Sequence, residues 1–196
     1  NKSNDIRMIK LTNRFTVFLG SLLIATGVQA QVTVDPAFPT ADDNVVITFD
    51  ASGGNGALVG VSPIYAHTGV ITSNSTTGND WKYVQGNWGI DDASVLMNSQ
   101  GGDIHTISFN IRNYYDIPAN EEVLSMAFVF RNEEGTVVGR STDGSDIFYP
   151  VYTGGFNVSF TVPSDNLLIY EEGDPIDFTV SASTTCDLTV FHDGNQ

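Results

Sequence analysis

A chain of 196 residues, 41% hydrophobic and 16% charged, has room for one domain of ordinary size and part of a second. Its 8 Lys and Arg stand against 23 Asp and Glu, and four of the eight (Lys2, Arg7, Lys10 and Arg14) lie in the first 30 residues beside one acid, Asp5. Beyond residue 30, 4 basic residues face 22 acidic ones, a formal charge of −18. That surface repels phosphate backbones and anionic membranes, leaving neutral ligands and divalent cations as partner classes.

Residues 15–28, FTVFLGSLLIATGV, form an apolar run of signal-peptide length, too short to span a bilayer comfortably. Lys10 and Arg14 precede it, and Val28-Gln29-Ala30 before Gln31 has the small-residue pattern of a cleavage site. Met8 reads as the initiator, with Asn1 to Arg7 upstream of the true start. The mature protein is expected to begin at Gln31 and to be secreted, to the periplasm, the cell surface or the medium. No membrane contact is expected once the signal is cleaved.

From Gln31 onward the periodic segments alternate with period two. Val45, Ile47 and Phe49 share one face of a predicted strand, which Ser52-Gly-Gly-Asn-Gly56 ends with residues that tolerate positive φ. Ser62 to Gly89 follows, with a strand-like start at Ile64 to Thr68, a Ser/Thr/Asn/Gly loop, and then both tryptophans, Trp81 and Trp88. Tyr65, Tyr83 and His67 complete an aromatic group among small polar residues, and His67 shares a strand face with Tyr65. Flat rings beside amides and hydroxyls suit a ligand with one apolar face and a hydroxylated rim, such as a sugar ring. The opposing reading puts both tryptophans in the core, where a large aromatic most often sits.

Ile107, Phe109 and Ile111 form another inward face, and Leu124 to Arg131, apolar on both faces, reads as a central strand. Glu133-Glu134-Gly135 is a turn, Val137 to Arg140 pairs back as a hairpin, and Ile147 to Val151 closes the unit. No segment beyond the signal has a convincing helical period. The pattern predicts an all-β antiparallel β-sandwich over residues 31–152. After Thr153-Gly-Gly155 a new alternation runs through Phe156, Val158, Phe160 and Val162, then Ile176, Phe178, Val180 and Ala182, then Leu188 and Val190. Residues 153–196 therefore read as the opening of a second, Ig-like β-sandwich, and Asp193-Gly194 as a hairpin turn whose returning strand does not follow. The chain is expected to be a fragment truncated inside that second domain.

No HExxH, GxSxG, Walker loop or CxxC occurs, and 22 carboxylates make chance pairings inevitable, so no acid–base pair follows from sequence. No cofactor is expected. Asp91-Asp92 and Asp143-Gly-Ser-Asp146 offer hard oxygen ligands for Ca²⁺ but lack the full spacing of a calcium loop, and read as solvated turns. His67, His105 and His192 have no metal-ligand spacing, and His105 is expected as a satisfied core histidine. Cys186, the one cysteine, reads as a small apolar core residue.

The run Tyr65-Ala-His-Thr-Gly-Val-Ile-Thr72, with Asp80-Trp-Lys-Tyr83, Asn87-Trp-Gly89 and Met97, resembles the N-terminal module of secreted α-amylase-superfamily enzymes of Bacteroidetes-type bacteria. Asn110-Ile-Arg-Asn-Tyr-Tyr-Asp-Ile-Pro118, Phe128-Val-Phe-Arg-Asn132 and Asp146-Ile-Phe148 are similar to it as well. More distantly the layout resembles starch-binding modules of carbohydrate-binding families twenty-five and twenty-six. The resemblance covers Val32 to Tyr152 and implies a non-catalytic module that binds α-glucan polysaccharide or maltooligosaccharide. It also implies a covalently linked catalytic domain downstream.

By that resemblance His67 and Trp81 are the best counterparts of the groove residues, with Trp88, Tyr83 or Tyr65 adding ring surface and Lys82 and Asn87 bonding sugar hydroxyls. The family's second stacking tryptophan lies late in the domain, where this chain has Asn132, Phe148 and Tyr149. Trp88 is the alternative for that place. Two other readings stay open: a structural or adhesive Ig-like surface module with no sugar site, and an enzyme built on residues 31–152.

Overall fold

The computed structural model describes residues 31–162 and 179–187. The apolar run 15–28, Met8, and the later positions Ile176, Phe178, Leu188, Val190 and His192 with the Asp193-Gly194 turn lie outside them. One compact unit spans Gln29–Thr184. Of the other unit, only residues 185–187 are described.

Two antiparallel sheets form the sandwich predicted from the alternation. The first has the order β1-β2-β6-β5, from β1 (Val32–Asp35), β2 (Asn44–Asp50), β5 (Asn98–Gly101) and β6 (Ile104–Asn110). The second has the order β4-β3-β7-β8, from β3 (Tyr65–Thr72), β4 (Lys82–Gln85), β7 (Val123–Arg131) and β8 (Val138–Gly139), with β9 (Ile147–Pro150) also paired to β7. β7 is the central strand its two-sided apolarity predicts. β10 (Val158–Val162) and β11 (Thr179–Ala182) pair separately as an antiparallel ribbon.

The alternation works because successive side chains leave a strand on opposite faces. Val45, Ile47 and Phe49 of β2 and Ile107 of β6 point inward, against Ala66 and Val70 of β3 and Met126, Phe128 and Phe130 of β7. Phe49 and Phe130 stack across the two sheets with centroids 3.9 Å apart. Ile147 and Tyr149 of β9 pack on the same core, which turns Phe148 to the outside.

Three sequence expectations change. Ile111 does not continue the strand face but starts α1 (Ile111–Tyr115), the one described helix. Asn110 caps it, accepting the Asn113 N–H at 3.1 Å, and Ile111 and Tyr115, four apart, both bury. His105 is buried, but its Nδ1 has no hydrogen-bond partner, so it is not a satisfied histidine. Cys186 is exposed, among the polar residues that follow β11.

Candidate functional site

The site is the outer face of the second sheet. On β3 the outward residues are Tyr65, His67 and Gly69, which pair in register with Arg131, Val129 and Ala127 of β7. Gly69 and Ala127 make a low floor of small residues. A Cβ on Gly69 would stand 3.0 Å from the Lys82 carbonyl, 3.2 Å from Val84 Cγ2 and 3.4 Å from Trp81 Cε3. The missing side chain is thus the space into which the Trp81 ring settles.

A β-bulge delivers that ring. Thr68 pairs with Gln85 and Val70 with Lys82, so β4 carries one residue more than β3 over this stretch, and Tyr83 takes φ +52°. In a regular strand Trp81 and Tyr83 would share a face. The bulge separates them: Trp81 lies outside over Gly69, whereas the Tyr83 ring packs on the core and its hydroxyl donates to Glu121 Oε2 at 2.6 Å. The loop before Trp81 is internally tied. The Asp80 carboxylate accepts from the Thr76 N–H at 2.8 Å and pairs with Lys82 Nζ at 2.9 Å, contacts that hold it down to about 2.

Four rings meet on this face. Trp81 lies nearly parallel to His67 at 6.0 Å and 26°, and Trp88 stands edge-on to His67 at 5.3 Å and 85°. Phe148, opposite Ala127 in the β7–β9 register, stands edge-on to Trp81 at 6.3 Å and 80°. Neither tryptophan belongs to the core. Trp88 is 47% exposed and Phe148 39%, with Val84 and Ile90 exposed as well. His67 Nδ1 donates to the Gly86 carbonyl at 2.9 Å, which makes Nε2 the acceptor of the neutral ring. Burial, then the positive charges of Arg131 and Arg140, pushes this histidine below its ordinary value, against the opposing pull of the Gly86 carbonyl.

The structure brings together His67, Trp81 and Trp88 of the sequence-predicted set, with Asn87 exposed beside Trp88. It does not bring in the other three. Tyr65 is 2% exposed, its hydroxyl donates to Asp91, and the Arg131 guanidinium lies 4.9 Å over its ring, so it offers no stacking face. Tyr83 is committed to Glu121, and Lys82 to Asp80. Sequence reasoning named Phe148 only as a residue at the late position of the resemblance and kept it out of the site set, although its place outside the Ile147/Tyr149 alternation marks it as outward. It also passed over Arg131, whose strand position gives no hint that it is fully buried.

Trp88, Phe148, Val84 and Ile90 leave this face open to solvent. Two open surface hollows lie elsewhere, about 310 Å³ beside Val46 and Phe109 and about 220 Å³ beside Arg112 and Tyr152. Among the described residues, no three His, Cys, Asp or Glu side chains converge as a metal site, and no helix is long and apolar enough to cross a membrane. Asp92 and Asp143, weighed for Ca²⁺, instead accept the Ser94 and Ser145 N–H groups, each at 2.9 Å, in local turns.

Fold and face together define an all-β antiparallel sandwich that presents an aromatic platform on one sheet. The chain belongs to the family described as Domain of unknown function (DUF8578), which residues 32–138 match. That span holds His67, Trp81, Trp88 and Arg131, and Phe148 lies beyond it. No curated protein matches the chain.

Proposed function

We propose that residues 31–152 are a non-catalytic carbohydrate-binding module that takes a neutral α-glucan or maltooligosaccharide on the outer face of the second sheet. The observation that carries this reading is the exclusion of both tryptophans from the core and their gathering around His67. A structural spacer would gain most from burying such rings between its sheets. Trp81 takes the C–H face of a pyranose, Trp88 and Phe148 wall it, and His67 Nε2 accepts from a ring hydroxyl. The Asn87 amide lies at the rim.

Each stacked ring contributes on the order of 1 kcal/mol beyond its buried area, so one module binds in roughly the micromolar to millimolar range. Such affinity serves an exported protein whose catalytic domain is tethered to the module, because tethering raises the local concentration of polymer. The module itself performs no chemistry in this reading.

The test is Trp81→Ala in residues 31–152. Retardation in an amylopectin gel is expected to weaken by about tenfold, equivalent to about 1.4 kcal/mol. The melting temperature falls little, since Trp81 lies outside the core cluster. A variant that binds amylopectin as tightly as the parent would sink the proposal.

A further inference from the structure

We infer that Arg131, with Tyr65 and Asp91, is a positioning brace that fixes Trp88 on the binding face. The inference rests on the proposed function for its consequence, though not for its geometry. Arg131 Nη2 donates to the carbonyls of Asn87 at 3.0 Å and Ile90 at 2.6 Å, which bracket Trp88 in the chain. Its Nη1 donates to the carbonyls of Asn132 at 2.9 Å and Glu133 at 2.8 Å, in the turn leading to Gly135. Gly135 is the seat of the Trp88 ring: a Cβ there would lie 2.6 Å from the indole Nε1. One guanidinium therefore sets both the backbone that carries Trp88 and the surface beneath its ring.

Tyr65 completes the brace. Its ring lies under the guanidinium at 4.9 Å, and its hydroxyl donates to Asp91, the residue after Ile90. Arg131 is fully buried, and its Nε has no partner. Stability alone does not account for such a residue, because well-packed apolar groups commonly replace a buried charge without loss. A planar fork that spans two loops does account for it. Lysine, with three donors at one point, cannot reach carbonyls on both.

The experiment incorporates 5-fluorotryptophan into residues 31–152 and follows the two fluorine resonances, assigned with Trp81→Phe and Trp88→Phe. Arg131→Lys is expected to shift or broaden the Trp88 resonance, leave that of Trp81 in place, and weaken amylopectin retardation several-fold. Tyr65→Phe, which keeps the ring and frees Asp91, is expected to move the Trp88 resonance by less, and it decides the matter alone if Arg131→Lys does not fold. A Trp88 resonance unmoved in every folded variant overturns the brace whatever the gel shows. A parent that amylopectin does not retard overturns the functional reading, and the fluorine spectra still judge the brace.

Discussion

At the scale of single residues, the histidines set the acid response. His105 sits on β6 opposite Phe49, buried, and burial pushes it below its ordinary value while Asp103 pulls weakly the other way. A histidine depressed in the folded state binds its proton more readily once unfolded. Its stabilising contribution is therefore complete above the unfolded value of about 6.5 and is lost as pH falls through the folded one. His67 is shifted in the same direction and adds to the effect. Urea unfolding is expected to show the parent losing stability as pH falls below about 6.5, and His105→Leu losing distinctly less over the same range. A variant that declines as steeply as the parent would remove His105 from the account. Asp80 and Asp143, held down to about 2 chiefly by hydrogen bonds from Thr76 and Ser145, carry the same sign: their contribution is present above the ordinary carboxylate range and is lost as pH falls toward about 2.

At the scale of elements, the bulge in β4 decides which aromatic can face a ligand. Tyr83 is turned to the core, and its hydroxyl satisfies Glu121, a buried carboxylate that also accepts from Thr72 and is held below its ordinary value by both contacts. Tyr83→Phe leaves Glu121 one donor short and is expected to cost about 1–3 kcal/mol of stability. Amylopectin binding by the folded variant should equal the parent's, measured by the same gel. A loss of binding with stability intact would return Tyr83 to the site.

The strands themselves were legible because alternation reports faces directly: Val45/Ile47/Phe49 and the two-sided Leu124–Arg131 run needed no structure. What alternation cannot report is register between distant strands. That Gly69 meets Ala127, and Ala127 meets Phe148, follows from pairings between strands far apart in the chain. The bulge is equally silent in sequence, because it depends on one non-glycine residue accepting positive φ under tertiary contacts. Tyr65 shows the limit most plainly. Its outward parity with His67 was right, yet Arg131 and Asp91 cover that part of the face.

At the scale of the whole molecule, charge and site are separate systems. The four cations beyond residue 30 are all engaged: Lys82 with Asp80, Arg112 with Asp42, Arg140 with Asp146, and Arg131 with loop carbonyls. None presents its charge uncompensated to a polyanion, while 22 acidic residues over the same span repel one. In the proposed function the ring cluster, by contrast, attracts through apolar contact and hydrogen bonds to neutral groups, and neither depends on the ionic atmosphere. Screening acts strongly between charges about 10 Å apart at about 0.1 M salt and leaves stacking almost untouched. Retardation of residues 31–152 by amylopectin is therefore expected to change by less than about twofold between about 0.02 M and about 0.5 M NaCl. Dextran sulfate should retard the module at neither concentration. Binding that collapses as salt rises would mean that charge, not the Trp81 face, holds the ligand, and the site would have to be sought among the ion pairs instead.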